Sequence, residues 1–303
     1  MFRVRKQIGC SDELIDDCGH RGITVAVLDT GIFLHPDFDD RVIAFKDFVN
    51  NRMKPYDDSG HGTHVAGCMC GSGLLSGGKY KGIDPFCKLV IGKVLDQKGD
   101  GIIENMVRGI EWVLEQQKML DIRILNISIG MGENADREKM EELLTLVDEA
   151  WERGLVVVCA AGNGGPKPMS ISPIGARKKV ITVGCHDGGY FGDKEYLCEK
   201  CSGRGPTRYA IKKPDVVAPG TEIISCNAAM ERKGRQIKNA YIAKSGTSMA
   251  TPIVSGGIAL LLQKYPFYDN ERVKQKLCYS TIDLKESWSK QGWGMIRIDK
   301  LLK

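Results

Sequence analysis

Three short segments carry residue types able to support nucleophilic chemistry. In the first, the apolar run ITVAVL ends in Asp29-Thr30-Gly31. An acid at the carboxyl end of a buried strand lies where open α/β sheets gather their reactive groups. In the second, Ser59-Gly60-His61-Gly62-Thr63-His64-Val65-Ala66-Gly67 sets His61 between two glycines, just before a helix of small residues. In the third, Lys244-Ser245-Gly246-Thr247-Ser248-Met249-Ala250-Thr251-Pro252 leads into the strongly apolar IVSGGIALLLQKY. Taken singly, each has a plainer explanation. The acid could close a turn, and the serine could be an N-cap, with Pro252 tolerated in a first helical turn. His61 and His64 are three residues apart with no carboxylate beside them, unlike the HExxH zinc pair. Taken together, they supply what a hydroxyl nucleophile needs. A serine is a poor nucleophile near neutral pH unless a base can take its proton and an acid fixes the base's tautomer and charge.

Such residues must be held by a rigid frame, and the rest of the chain describes one. The runs 23–29, 88–95, 122–130, 154–162 and 180–185 are almost wholly apolar and rich in Val and Ile. Continuous runs of this kind indicate strands covered on both faces, as in a parallel sheet. Between them, 102–120 and 136–154 repeat apolar residues at three- and four-residue spacing, and Gly154 can end the second. The alternation predicts an α/β fold: a doubly wound, mostly parallel sheet flanked by helices. No linker or internal repeat divides the chain. The expected organisation is an N-terminal extension over 1–21 and one domain over 22–303. Residues 186–247 lose the alternation and read as loops and hairpins on the same core.

With these elements in place, the chain resembles the subtilisin-like serine proteases. Asp29-Thr30-Gly31, the run 61–67 (HGTHVAG) and the run 246–252 (GTSMATP) are similar to that family's three catalytic motifs, in its order of Asp, His, Ser. The likeness runs from about residue 22 to about residue 280. It includes His35-Pro36-Asp37-Phe38, Gly92-Lys93-Val94-Leu95, Asn126-Ile127-Ser128-Ile129-Gly130, Ala160-Ala161-Gly162-Asn163 and Lys213-Pro214-Asp215-Val216-Val217-Ala218-Pro219-Gly220. The resemblance implies a serine endopeptidase with Ser248 as nucleophile, His61 as general base and Asp29 orienting it, leaving His64 structural. It implies an oxyanion hole from the Asn163 amide and the Ser248 N–H. It also implies a substrate groove between Gly99-Asp100-Gly101 and Ser128-Ile129-Gly130. An extended peptide would add there as a strand, a mode that favours broad specificity. Gly162 is implied as a wall of the pocket for the residue before the scissile bond, with the bottom from about Met169 to Pro173. A pseudoenzyme keeping the fold without turnover is disfavoured by the complete set Asp29, His61, Asn163 and Ser248. An esterase or acyl transferase is disfavoured by the groove segments.

Other features limit cofactors and partners. Family members often carry a calcium loop after the histidine helix, and Asp37 matches one of its ligands. The corresponding stretch 71–80, GSGLLSGGKY, has no Asp, Glu or Asn, and calcium wants several oxygen ligands including carboxylates. Backbone carbonyls could add ligands, so Asp37 stands as a candidate for structural calcium; no other metal is assigned, and the chemistry needs no cofactor. Cys198-Glu199-Lys200-Cys201 has zinc-knuckle spacing without a second CxxC to complete four ligands. The net charge of +5 is spread without a basic stripe, which gives no sign of nucleic-acid binding. No apolar run reaches the eighteen or so residues of a membrane span. The first twenty residues lack the apolar core of a secretory signal, and only 28 residues precede Asp29, too few for a folding prosegment. The odd count of eleven cysteines points to reduced thiols. These features predict a cytoplasmic enzyme of the intracellular branch, acting on protein or peptide substrates.

Overall fold

The computed structural model describes residues 1–129, 136–234 and 236–303. Its centre is a seven-stranded sheet. The strands are β1 (Thr24–Asp29), β2 (Val42–Asp47), β3 (Lys88–Lys93), β4 (Ile122–Ile127), β5 (Val156–Ala160), β6 (Ile181–Cys185) and β7 (Val216–Ala218). They lie in the order β2-β3-β1-β4-β5-β6-β7, with every pairing parallel. Every residue of β1, β5 and β6 is buried, which explains their unbroken Val and Ile content: helices cover both faces. Five strands fall within the expected runs, but β2 and β7 were not expected. β2 is the outermost strand and only partly buried, so its sequence VIAFKD mixes polar with apolar. β7 has only three residues.

Helices complete the two covering layers. Two short ones, α1 (Phe2–Gln7) and α2 (Asp12–Asp16), open the chain. Then follow α3 (His61–Cys70), α4 (Ile103–Gln116), α5 (Arg137–Glu152), α6 (Cys198–Cys201), α7 (Thr247–Lys264), α8 (Asn270–Tyr279), α9 (Trp288–Gln291) and α10 (Ile298–Leu301). α4 packs on α5, and α3 packs on α7. α5 is started by Asp136, whose carboxylate accepts from the N–H groups of Glu138 and Lys139. α7 is apolar all round and almost entirely buried, as a helix through the middle of a molecule must be. The segment 1–21 is not detached: Val4, Ile8 and Ile15 belong to the main core, and the Met1 amine donates to the Ile224 carbonyl at 3.0 Å.

The stretch after β6 holds more than loops. It contains α6, β7, β8 (Ile223–Cys226), the hairpin β9 (Glu231–Lys233) with β10 (Gln236–Lys238), and β11 (Tyr241–Lys244), which pairs antiparallel with β8. No described helix is long and apolar enough to cross a membrane.

One consequence of the strand order fixes the site. β1 lies between β3 and β4. The segments leaving the carboxyl ends of β3, β1, β4 and β5 therefore emerge side by side. They carry Gly99-Asp100-Gly101, Asp29, Ser128-Ile129 and Gly162-Asn163.

Candidate active site

Asp29 is the last residue of β1 and is fully buried. Its Oδ1 accepts the Thr30 N–H at 2.7 Å and faces His61 Nδ1 at 2.7 Å. The other oxygen, Oδ2, is buried without a hydrogen-bond partner among the described residues. A carboxylate left partly unsatisfied inside a protein interacts more strongly with the one cationic group it can reach. For His61, burial alone would lower the pKa. The charge and hydrogen bond of Asp29 outweigh that, and the pKa is raised. The arrangement holds Nδ1 as donor to Asp29 and turns Nε2 outward; the side chain is 26% exposed, so the ring is reachable from solvent.

A close approach makes this pair possible. His61 is the first residue of α3, and Gly62 follows it. A Cβ on Gly62 would lie 3.2 Å from Asp29 Oδ1 and overlap the Gly31 carbonyl oxygen. Any side chain there would push the histidine turn off the strand end. His64, one turn further, has a different environment. It is fully buried, and its Nε2 meets the carbonyl oxygens of Ile223 and Ile242 at 2.8 and 3.1 Å. Burial drives its pKa down to about 3, so it stays neutral and ties α3 to β8 and β11. Of the two histidines expected at this helix, His61 is the one that meets a carboxylate.

Ser248 is the second residue of α7, half-buried. Among the described residues its hydroxyl forms no hydrogen bond with His61; such bonds are often long without substrate and tighten when it binds. Asn163 is placed by α7 itself: its Oδ1 accepts from the N–H and the hydroxyl of Thr247, both at 3.1 Å. That fixes the amide so that Nδ2 faces the other way. A Cβ built on Gly246 would stand 3.7 Å from Asn163 Nδ2 and 3.8 Å from the Ser248 nitrogen. Both nitrogens therefore lie near that one position, as does Asn163 Oδ1 at 3.9 Å. The Ser248 N–H is free to donate because the first turn of a helix leaves its N–H groups without helical partners. The pair can stabilise an oxygen that gains negative charge there.

Around these groups lie the expected groove segments. Asp100 and Gly101 are exposed beyond β3, and Ser128 and Ile129 are buried beyond β4. Gly130 lies outside the described residues. Gly162 faces Ser172, whose Cβ would be 3.4 Å from a Cβ on the glycine. Ser172 is held there by its hydrogen bonds to the carbonyl groups of Ala160 and Ala161, both at 2.8 Å. The stretch expected to form a pocket bottom, 169–173, is therefore beside Gly162.

Sequence reasoning missed Asp57, Asp58 and Lys93. Asp57 binds five donors around the start of α3 and the end of β1. Its signal was present, since an acid shortly before a helix is an N-cap cue. Lys93 is fully buried, and its Nζ donates to the carbonyls of Thr30 and Leu95 and to Asp58, at 2.7 to 2.8 Å. A lysine inside an apolar strand is itself a signal, because a buried ammonium is tolerated only when fully paired.

Asp37 was the calcium candidate. Its Oδ2 accepts from Gly73 N–H at 3.0 Å and its Oδ1 from Leu75 N–H at 3.3 Å; the Tyr241 hydroxyl lies 3.0 and 2.9 Å from the two oxygens. Cys226 Sγ adds a contact at 3.7 Å. His35 Nδ1, Asp37 and Cys226 Sγ lie within 4.8 Å of one another, but His35 Nδ1 already accepts the Asp37 N–H at 3.1 Å. A calcium ion there would find one carboxylate, already engaged by N–H and O–H donors, with a nitrogen and a sulfur in place of further oxygen ligands. The residues present do not fit it.

Comparison with known proteins agrees with the geometry. The family model described as "Subtilase family" matches residues 20–294. The chain is similar to serine protease AprX of Bacillus subtilis (strain 168), 41% identical over 276 residues, which cover 88% of this chain and 62% of that protein. This chain therefore spans under two thirds of that relative. It is 32% identical over 287 residues to subtilisin DY of Bacillus licheniformis, covering 93% of this chain and 92% of the relative. The solved structure of sphericase matches with a TM-score of 0.77 at 28% identity over 92% of both chains. On the match across most of its length, the chain belongs to the subtilase family.

Proposed function

We propose that the chain is a serine endopeptidase acting on extended polypeptides. The observation that carries this reading is the Asp29–His61 hydrogen bond of 2.7 Å at the carboxyl end of the central strand, with Asn163 and the Ser248 N–H grouped beside it. In the proposed reaction, His61 Nε2 takes the Ser248 hydroxyl proton as Oγ attacks the scissile carbonyl carbon. The carbonyl π pair moves to oxygen, where Asn163 Nδ2 and the Ser248 N–H receive it. The intermediate then collapses. His61 gives its proton to the leaving amine, the C–N bond breaks, and an acyl-enzyme remains. Water, deprotonated by the same imidazole, attacks the acyl carbon; the C–Oγ bond breaks, Ser248 Oγ takes the proton back from His61, and the acid leaves.

The groove segments support broad specificity. Segments 99–101 and 128–129 flank Asp29 and would hold a substrate chiefly by its main chain. We further read the enzyme as cytoplasmic, on its odd count of eleven cysteines, all but Cys201 buried. Cys198 and Cys201 then serve as ordinary thiols of the short helix α6. No calcium is proposed at Asp37.

Casein digestion compared with hydrolysis of a small ester tests the reading. Cleavage of casein that is lost together with ester hydrolysis in Ser248→Ala supports it. Ester hydrolysis with casein left intact would make the chain an esterase.

A further inference from the structure

We propose that Asp57 is a positioning residue for His61: its carboxylate locks the first turn of α3 to the strand end carrying Asp29, and supplies a second negative charge beside the imidazole. This rests on the peptidase reading of Asp29, His61 and Ser248.

The helix that presents His61 has a structural problem at its start. Its N-cap is Gly60, which has no side chain to accept the free N–H groups of the first turn. Asp57, four residues before His61, does so from outside the helix. Its Oδ2 accepts the Thr63 N–H at 2.8 Å and the Thr63 hydroxyl at 2.6 Å. Its Oδ1 accepts from Gly60 N–H at 2.7 Å, Ser59 N–H at 3.2 Å and the Thr30 hydroxyl at 2.8 Å. Thr30 closes the circuit: its Oγ1 accepts the Gly62 N–H at 2.9 Å. The residue after the acid and the residue after the histidine are thus held by one carboxylate. The backbone repeats the link, with Asp57 bridging Gly31. An ordinary cap would need only one or two of these bonds. This network spans both partners of the Asp29–His61 pair.

Charge gives the second half of the argument. Burial would raise the Asp57 pKa, but the donors from Thr63, Gly60 and Thr30 prevail and lower it, so it remains an anion. All five partners are neutral N–H or O–H groups, and no cation pairs with it among the described residues. The neighbouring Asp58 differs, because Lys93 holds it at 2.7 Å. Three charged groups act on His61 from the elements around it. Asp29 on β1 raises its pKa, Lys244 on β11 lowers it, and Asp57 raises it. His64, one turn on in α3, is neutral.

The test is an NMR titration of the His61 ring in the native chain and in Asp57→Asn, with Ser248→Ala added to both to block autolysis, alongside pH profiles of kcat/KM in the Ser248 forms. Asn keeps the shape and removes the charge. The His61 midpoint and the acid limb of kcat/KM are expected to move together to lower pH. On the plateau kcat falls about 10- to 100-fold through misplacement of the ring, with KM little changed. Thr63→Val breaks one Asp57 bond but keeps the charge, so it lowers the melting temperature and leaves the midpoint in place. Should the amide not fold, Asp57→Ser gives a second charge-free variant with a short acceptor. A folded Asp57→Asn or Asp57→Ser protein that melts earlier but titrates His61 at the native midpoint would overturn the proposal, leaving Asp57 a cap. Because the titration needs no turnover, a native chain that fails to cleave peptides would count against the peptidase reading and not against this one.

Discussion

The molecule contains two buried aspartates with a histidine beside them, and they have opposite character. At the carboxyl end of β1, Asp29 Oδ1 faces His61 Nδ1 at 2.7 Å while Oδ2 is left without a partner. The histidine is partly exposed, and its pKa is raised. In the 35–38 turn, Asp37 and His35 Nδ1 are 3.6 Å apart and both side chains are wholly buried. There the carboxylate is satisfied by backbone N–H groups and the Tyr241 hydroxyl. Burial overrides the attraction of Asp37 and lowers the His35 pKa. The same two residue types therefore give a proton-accepting pair where the carboxylate is under-satisfied and solvent can reach the ring. They give a packing joint where both carboxylate oxygens have donors and the ring is sealed from solvent. Reactivity here depends on the surroundings and exposure of the pair more than on residue identity.

The largest expected effects come from breaking the first pair. For subtilisin itself, removing the nucleophile or the base lowers kcat by about 2 × 10⁶-fold. Ser248→Ala and His61→Gln are expected to show losses of that order in steady-state assays, with the fold retained by circular dichroism. His35→Gln is expected to retain kcat per folded molecule. A loss of activity in His35→Gln equal to that in His61→Gln would abolish the distinction between the pairs.

Asn163 comes next. Its amide is oriented by Thr247, so Asn163→Ala removes a donor that acts when charge develops on the substrate oxygen. The corresponding loss in subtilisin is about 10²–10³ in kcat, with KM nearly constant. A near-normal kcat with a lowered melting point would reduce Asn163 to a turn residue.

The second pair is expected to answer in stability alone. Asp37→Ala strands the N–H groups of Gly73 and Leu75 and the Tyr241 hydroxyl inside the protein. The fully buried Gly73 donor alone costs about 1–3 kcal/mol when unsatisfied, so the melting temperature should fall by at least roughly 2–12 °C while kcat is retained. Calcium sharpens the point. The melting curves of native protein in calcium and in chelator should coincide. A calcium-dependent rise that disappears in Asp37→Asn would show that Asp37 binds the ion.

The smallest effect concerns pH and separates His61 from the buried histidines. His61 must be neutral to accept a proton, and its folded pKa is raised, so the acid limb of kcat/KM should lie above the ordinary imidazole value of about 6.5. For His64 and His35 the folded pKa is lowered. Below about pH 6.5 the unfolded chain takes up protons that these two sites refuse. Their contribution to stability is thus fully present above that pH and is lost as pH falls, by up to about 1.4 kcal/mol per unit for each. Denaturant unfolding between pH 7 and pH 5 should show this slope, and His64→Gln should flatten it without moving the activity limb. An unchanged slope would mean that His64 is protonated in the folded protein.

Much of this was legible in the chain. Asp29, His61, Asn163 and Ser248 are each marked by an adjacent glycine or small residue, because tight approach of strand ends and helix starts demands it, as at Gly62. The buried strands announced themselves through unbroken Val and Ile. What escaped had physical reasons. β2 is an edge strand of mixed polarity, and β7 is too short for any period to register. α1 and α2 bury only a few residues each, among them Val4 and Ile15, so their patterns were too brief to read. Lys93 and Asp37 act through partners distant in sequence, and Asp57, though most of its donors follow it closely, also reaches back to Thr30. Lys93 reaches Thr30, and Asp37 reaches Tyr241 across the fold. No local spacing encodes which donors will meet a carboxylate once the chain has closed around it.

The most direct test of the central claim is labelling with a fluorophosphonate, which reacts only with an activated serine, followed by mass-spectrometric location of the adduct. A single adduct on the peptide containing Ser248 is expected in the native chain. It should form faster as pH rises through the His61 limb and be lost in His61→Gln. An adduct on another residue, or equal labelling of Ser248 in His61→Gln, would contradict the claim that the Asp29–His61 pair activates this serine.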